Sequence, residues 1–285
     1  MINQSILQDK NFYCEIESNE ILKQILNIFV HIADHVRISF NIDETSSWID
    51  FFRMADDNKA VFYMTTRDIP LLNFFCNYND NKYNNKTKCT IDVNPATFYK
   101  GLKMIKHNEK IALYINKRVG VICDDCDNYY DNYWSYNLTL CSWMIFNVRL
   151  LDIHTRAFDL NLLCGTTHIN MKYSNFKKIF LNICNSGEYI KIRHTTNKII
   201  FSNLDNAKEH IFKLDEYEVN NEVNNEVIEN IYLHENLVKI NKCIIDTCTD
   251  VILQFEFKKP FIITYKLYHN TEFKVGIINE YPKLK

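Results

Sequence analysis

Two cysteines, Cys123 and Cys126, flank two acidic residues and have the spacing of half a zinc site or of a redox pair. A structural zinc site needs four ligands, and no second pair at a suitable spacing follows in the chain. The alternating residues around the two cysteines indicate a strand-turn-strand context, whereas redox pairs lie where a strand enters a helix. We therefore predict a turn between strands here, with no metal ligand and no cofactor.

The other residue types that could do chemistry are scattered along the chain. His154 and His168 are isolated, and no Ser-His-Asp arrangement or pair of carboxylates stands out. The five glycines are dispersed, which excludes the glycine-rich loops that cradle phosphates. The glycosylation sequons at Asn85 and Asn137 are expected by chance in an Asn-rich chain. We therefore predict no catalytic residues, and a protein that is not an enzyme.

The composition is that of a folded protein, with 47% apolar and 24% charged residues. No stretch of about 18 uncharged apolar residues could cross a membrane. The first residues lack the basic-then-apolar layout of a secretory signal. We expect an intracellular protein whose ten cysteines stay reduced.

One pattern occurs four times: an alternating strand, a helix of three to four turns, and a second alternating strand. The second strand begins 24, 22, 21 and 21 residues after the first. The predicted helices span 19–33, 95–107, 173–186 and 235–247, and Asn19 and Asn94-Pro95 are candidate helix starts. Two units make one domain, so we predict an α+β protein with similar domains at 1–148 and 160–285, joined by a connector at 149–159.

The predicted helices concentrate positive charge in a chain whose net charge is −2. Eight lysines against three acidic residues give the helices +5, which leaves −7 elsewhere. These are the candidate DNA-binding residues: Lys23, Lys100, Lys103, Lys106, Lys177, Lys178, Lys239 and Lys242. A single lysine-rich helix is typical of a solvated surface. Four helices with the same excess of lysine favour contact with a phosphate backbone, in a way that does not depend on the DNA sequence.

Several segments resemble a known family, in the right order over nearly the whole chain. Lys259–Leu267 is similar to its "Pro-leu-x-val-x-Tyr-x-ile" strand, and Tyr281–Leu284 to its "Ala-Pro-Lys-Ile" tail. Thr166–Phe176 resembles the entry into its second domain, and Arg53–Val61 its "Met-Asp-x-Ser" turn. The family is that of the DNA sliding clamps of the proliferating cell nuclear antigen type.

This resemblance implies the DNA-clamp fold, with helices lining a central channel and sheets outside. It implies a homotrimeric ring that joins Tyr133–Leu140 of one subunit to Glu209–Leu214 of the next, with +15 on the helices around the hole. The implied function is that of a processivity factor, which encircles duplex DNA and tethers polymerase and other replication or repair proteins. A separate clamp loader would open the ring, and the expected location is the nucleus or a cytoplasmic viral replication site. The abundance of Asn, Ile, Lys and Tyr indicates an AT-rich genome, and a large DNA virus or a protist would fit as the source.

The resemblance also implies a pocket for partner motifs under the connector. The matching positions are Met54, Leu150, Leu151, Ile153, Pro260, Tyr281 and Pro282. Tyr281 stands where a small residue is usual, and Asn279 where the family often has an aromatic, so the pocket shape and the partner motif are expected to differ.

Two alternatives remain open at this point. One is the same fold acting as a replication or late-transcription scaffold without ring closure. The other is an unrelated α+β interaction protein or enzyme whose repeats resemble those of a clamp by coincidence. A mass measurement separates the first alternative from a ring, and a structure without internal similarity would establish the second.

Overall fold

The computed structural model describes residues 10–55, 60–67, 69–76, 87–106, 109–116, 137–151, 167–184, 188–195, 198–213, 219–220, 228–233, 235–244, 248–256, 259–268 and 270–278. Of the helices in these ranges, none has the length and apolar character needed to span a bilayer.

The four predicted helices are present, and their bounds are α1 Glu20–Ile32, α2 Pro95–Lys103, α3 Tyr173–Cys184 and α4 Glu235–Cys243. The strands are β1 Lys10–Ile16, β2 Val36–Ile42, β3 Ser47–Met54, β4 Ala60–Thr66, β5 Leu71–Cys76, β6 Lys88–Val93, β7 Ile111–Asn116, β8 Asn137–Cys141, β9 Ile145–Arg149, β10 Thr167–Lys172, β11 Tyr189–Thr195, β12 Lys198–Ser202, β13 Glu209–Lys213, β14 Val219–Asn220, β15 Ile228–Leu233, β16 Cys248–Phe255, β17 Phe261–Leu267 and β18 Thr271–Ile277.

The strand order shows an internal repeat of nine strands. One sheet has the order β5-β1-β7-β8-β9, and adding nine to each number gives β14-β10-β16-β17-β18, which is found in a second sheet. The remaining strands follow the same rule, because β4-β3-β2-β6 continues that second sheet and β13-β12-β11-β15 forms a third. In the part of the chain that the structure describes, each half therefore carries nine strands and two helices in one order.

The contacts divide the chain into two compact units. The first comprises Met1–Val30, Asp34–Asp50 and Arg67–His154, and the second comprises His31–Ala33, Phe51–Thr66 and Thr155–Lys285. The segment Phe51–Thr66 groups with the second unit because β4 pairs along its whole length with β18, from Thr66–Thr271 to Ala60–Ile277. The boundaries at 148 and 160 stay a prediction.

The first unit has its core between two sheets. The rings of Phe12 on β1 and Phe40 on β2 are both fully buried, with their centroids 5.2 Å apart. Helix α1 buries the apolar stripe that its periodicity predicts, including Leu22, Ile25 and Phe29. Apolar burial of this kind contributes about 1.5–3 kcal/mol for each large side chain.

Helix α3 packs on the sheet of the second unit through aromatic contacts. The ring of Tyr265 on β17 lies 6.2 Å from Tyr173 and 5.9 Å from Phe176 on the helix, and 6.0 Å from Phe273 on β18. All four rings are buried. One face of the helix is therefore fixed on the sheet, and the opposite face is left to solvent.

The start of α2 has the predicted cap. The Oδ1 atom of Asn94 accepts a hydrogen bond from the Thr97 amide at 2.8 Å, and Pro95 occupies the first turn. Helix α1 differs, because the Asn19 carbonyl accepts from the Lys23 amide at 2.9 Å while the Asn19 side chain makes its hydrogen bonds elsewhere.

The outer strand of the first sheet is not the predicted one. The predicted edge, Tyr133–Leu140, corresponds to β8, which lies between β7 and β9. The edge is β9, Ile145–Arg149, which overlaps the start of the predicted connector. This strand was not predicted, because consecutive apolar residues obscure its alternating pattern in the sequence. In the structure, Phe146 and Val148 face the core while Ile145 is exposed. The prediction for the second half is confirmed, since β13 ends its sheet.

Gly101 allows α2 to approach β9 closely. A Cβ atom at this position would lie 2.4 Å from Cδ1 of Phe146. Alanine normally stabilises a helix interior over glycine by about 1 kcal/mol. Here we expect Gly101→Ala to lower the free energy of unfolding by about 1–3 kcal/mol, because the added methyl group overpacks the contact. Urea denaturation measures the change, and adding Phe146→Ala should remove the penalty of the methyl group. A stabilised Gly101→Ala protein would contradict this packing.

Candidate nucleic-acid interface

The lysines of α2 lie on its solvent side. Lys100 and Lys103 are exposed, whereas Phe98 and Leu102 on the opposite side are fully buried. The Lys103 ammonium lies 5.2 Å from the ring centroid of Tyr99. The predicted range 95–107 was too long: the helix ends at Lys103, so Lys106 is exposed but lies in the turn that follows.

Helices α3 and α4 also carry outward lysines. On α3, Lys178 is exposed and Lys177 is half-buried, opposite the buried Ile179 and Phe180. On α4, Lys239 and Lys242 are exposed. Lys239 pairs with Glu235 one turn earlier at 2.8 Å, which is a weak interaction because both groups are solvated.

The prediction for Lys23 is wrong. Its side chain is buried, at 7% exposure, and its ammonium donates to the carbonyl of Ile105. Burial lowers the pKa of Lys23, and the nearby Glu109 and Glu20 oppose this shift. A buried ammonium engaged by a carbonyl cannot also bind a phosphate, so Lys23 is excluded from the DNA-facing set.

Most lysines of the helices have no carboxylate partner among the described residues. With the observed bounds, seven lysines and two glutamates still give the four helices +5. Outside the helices, carboxylates pair with Lys110, Lys172, Lys259 and Lys266, whereas Lys88, Lys198 and Lys208 have no carboxylate partner among the described residues. Within the described ranges, no carboxylate pairs with Lys100, Lys103, Lys106, Lys177, Lys178 or Lys242. Most lysines on and just beyond α2, α3 and α4 are therefore free of ion pairs with described carboxylates, which suits the binding of phosphates.

Two predicted partner-binding residues, Met54 and Pro260, lie at the same end of one sheet. The Ala55 amide donates to the Ala60 carbonyl at 2.8 Å, Ala60 pairs with Ile277, and Ile277 pairs with Phe261. Three strand spacings, about 14 Å in all, therefore separate the end of β3 from the start of β17. An extended peptide of about five residues spans that distance.

Met54 belongs to an apolar cluster on this sheet. It packs with Tyr63 against the buried Phe52 and Val61. The other predicted residues are separate from this cluster or undescribed. Leu150 bridges to Val93, and the Leu151 amide donates to the Asp92 carbonyl at 2.8 Å, so both extend the edge of β6. Ile153, Tyr281 and Pro282 lie outside the described residues.

The structure offers no chemical centre among the residues it describes. No cluster of three or more His, Cys, Asp or Glu in those ranges could hold a metal ion, and Cys123 and Cys126 lie outside them. Burial raises the pKa of the Cys89 thiol well above its usual value and that of Cys248 to about 12. Thiols in such surroundings are inert at neutral pH.

A sequence signal for the burial of Lys23 was present. The residue is adjacent to Leu22 and three positions before Leu26, inside the apolar stripe of α1. The exposed apolar residues near β9, namely Met104, Trp143 and Ile145, had no such signal, because they could be judged only once the edge strand was known.

Known structures share this fold over almost the entire chain. The proliferating cellular nuclear antigen of Entamoeba histolytica superposes with a TM-score of 0.64 at 14% identity, covering 95% of this chain and 100% of that chain. The PCNA of Thermococcus kodakaraensis gives 0.63 at 14% identity, covering 94% and 100%. No protein-family model matches the chain, and no curated protein matches it in sequence.

These likenesses confirm the predicted α+β fold class and the predicted resemblance in fold to the sliding clamps. Coverage of both chains from end to end means that the nine-strand repeat is matched as a whole. The chain therefore has the clamp fold of the proliferating cell nuclear antigens.

Proposed function

We propose that this protein is a DNA sliding clamp, a homotrimeric ring that encircles duplex DNA and tethers polymerase and other replication or repair proteins. One observation carries this proposal: among the described strands, one junction joins the two repeats, and the equivalent strand at the other end of each repeat lies at the edge of its sheet. Strands β18 and β4 pair antiparallel over seven residue pairs. Their repeat equivalents are β9 and β13, each of which ends its sheet.

An open edge of this kind is a site for pairing with another chain. If β9 of one copy pairs with β13 of the next, the contact is heterologous, because it joins two different surfaces. Repetition of such a contact gives a ring when the rotation closes, and three copies of 34.0 kDa give about 102 kDa.

The positions of the exposed apolar residues also support an interface through β9 and β13. The described ranges contain eight exposed large apolar side chains, and six of them lie on elements that carry or adjoin the two edges: Met104, Trp143, Ile145, Leu181, Leu204 and Ile211. Ile145 on β9 is 65% exposed and Ile211 on β13 is 48% exposed. Met104 follows the helix that packs on β9, and Leu181 lies on a helix that packs under β11 and β12. Apolar side chains concentrated at two edges favour an interface there.

The proposed mechanism is topological. Lysines on the helices contact phosphates without reading bases, so the protein moves along the duplex while the closed ring prevents escape. Partner motifs would bind near Met54 and Pro260 under the connector. Loading onto closed DNA would need another protein, because the chain has no phosphate-binding loop.

Retention on end-blocked DNA tests this function. The protein is threaded onto a linear duplex attached to a bead at one end, and the free end is then blocked with a bulky protein. After a high-salt wash, which weakens phosphate contacts, we expect the protein to stay bound until a restriction enzyme cuts the duplex. The control duplex with an open end should lose the protein in the same wash.

Equal loss from blocked and open duplexes would contradict encirclement. That result, together with a 34.0 kDa species, would favour the scaffold without ring closure.

A further inference from the structure

Helix α2 ends in a tight turn that carries Lys106. The Met104 amide donates to the Gly101 carbonyl at 3.2 Å, and the Ile105 amide donates to the Leu102 carbonyl at 3.1 Å. These bonds span three residues, as in a 3₁₀ helix. Residues three apart are eclipsed in that geometry, whereas in an α-helix they are offset by about 60°. The turn covers residues 101–105, and Lys106 follows directly after it.

This turn leaves carbonyl groups without partners in its own helix, as every helix C-terminus does. Two residues of α1 and its entry supply the donors. Nδ2 of Asn19 donates to the carbonyls of Lys106 at 2.9 Å and Glu109 at 3.2 Å. The Lys23 ammonium donates to the carbonyl of Ile105. Asn19 and Lys23 are four residues apart, so they project from the same side of the helix.

With these bonds, the Asn19 side chain does not cap α1 and the Lys23 side chain is not solvated. Asn19 is at the cap position of α1, yet its buried Oδ1 atom accepts no hydrogen bond from the described residues. Lys23 is the only lysine of α1, and it is buried rather than solvated. A cation is stabilising at a helix C-terminus, where the carbonyls carry partial negative charge.

The turn is closed on its other side by Glu109. The Glu109 amide donates to the Lys106 carbonyl at 3.2 Å, and the Lys106 amide donates to Oε2 of Glu109 at 3.3 Å. Burial lowers the pKa of Lys23, and the negative charge of Glu109 is the larger of two that oppose this shift. Lys106 and Glu109 are thus hydrogen-bonded to each other, and the carbonyls of residues 105, 106 and 109 accept from Lys23 or Asn19.

We propose that Lys23, together with Asn19, is a positioning residue that caps the end of α2 and holds Lys106 beside the helix that carries Lys100 and Lys103, for contact with phosphates. This inference rests on the proposed DNA-binding function. It assigns Lys23 an indirect role: its removal displaces another lysine instead of deleting a contact of its own.

A double-mutant cycle on the salt dependence of duplex binding tests the assignment. The variants are Lys23→Met, Lys106→Gln and the double substitution, with Lys242→Gln as the matched exposed lysine. Removal of one phosphate contact lowers the slope of log K against log salt by about 0.9. We expect Lys23→Met and Lys106→Gln to lower this slope by the same amount. The double variant should lower the slope no further than either single variant does. Lys23→Met and Lys242→Gln should instead be additive.

Hydrogen exchange gives a readout that does not depend on DNA. The Glu109 amide should exchange faster in Lys23→Met and in Asn19→Ala than in the original protein, and Lys242→Gln should leave it unchanged. If Lys23→Met does not fold, Asn19→Ala replaces it in the cycle with the same expected non-additivity.

If the reductions in slope from Lys23→Met and Lys106→Gln add in the double variant, the assignment is overturned. It is also overturned if Lys106→Gln lowers the slope and Lys23→Met leaves the slope unchanged. If Lys106→Gln and Lys242→Gln both leave the affinity and the slope unchanged, the proposed DNA contact fails instead.

Discussion

An aspartate at Ile145 or at Ile211 is expected to convert the native species from about 102 kDa, three times 34.0 kDa, to 34.0 kDa. Both side chains are exposed on the strands that we propose to pair between copies. Burial of each isoleucine contributes about 1.5–3 kcal/mol to a junction. A buried carboxylate without a partner costs several kcal/mol more, and the ring contains three such junctions. Native mass spectrometry at micromolar protein measures the change.

The matched control for the edge variants is Tyr268→Asp. Tyr268 is 54% exposed, comparable to Ile211, but it follows β17 in the turn before β18 and is on neither of the proposed edge strands. It should keep the mass of the original protein. Circular dichroism identifies any variant that fails to fold. A folded Ile145→Asp protein with unchanged mass would exclude β9 as a subunit contact.

Neutralising four helix lysines is expected to weaken duplex binding strongly. The variant replaces Lys100, Lys103, Lys177 and Lys178 by glutamine, because none of them pairs with a carboxylate in the described ranges. Each lost phosphate contact lowers the salt slope by about 0.9. If all four contact phosphates, the affinity at about 0.1 M salt falls by roughly 10³-fold for each protomer. Fluorescence anisotropy over a salt series measures both quantities.

A second quadruple variant has the same change in net charge. It replaces strand or loop lysines, three of which are ion-paired: Lys172, Lys198, Lys259 and Lys266. It should bind DNA with nearly the original affinity and salt slope. Equal losses in the two variants would mean that net charge matters and that the helix surface does not. Stimulation of polymerase by the helix variant should fall in parallel with its affinity.

Much of the fold could be predicted because local patterns and tertiary packing agree. The alternating strands and the helical stripes recur at nearly constant intervals, so the four helices start within one residue of their predicted positions. The Asn94-Pro95 start of α2 is determined by local chemistry alone. The shortened ends of the helices, by contrast, depend on turns such as Leu102–Ile105, which periodicity does not distinguish from a continuing helix.

The site was less predictable because it depends on contacts between distant segments. Whether Lys23 is solvated is decided by the carbonyl of Ile105, 82 residues away. Whether residues 145–149 form an edge strand is decided by their pairing with β8, which begins with Ile145 opposite Cys141 across the short turn 142–144. A long lysine side chain fits an apolar stripe as well as a solvated face, so helical spacing alone does not assign its direction.

The mass of the unmodified protein in solution tests the central claim most directly, because encirclement requires a closed assembly of copies. We expect native mass spectrometry to give about 102 kDa, three times 34.0 kDa, at the micromolar concentrations where the protein is retained on end-blocked DNA. A mass of 34.0 kDa under those conditions would contradict the ring.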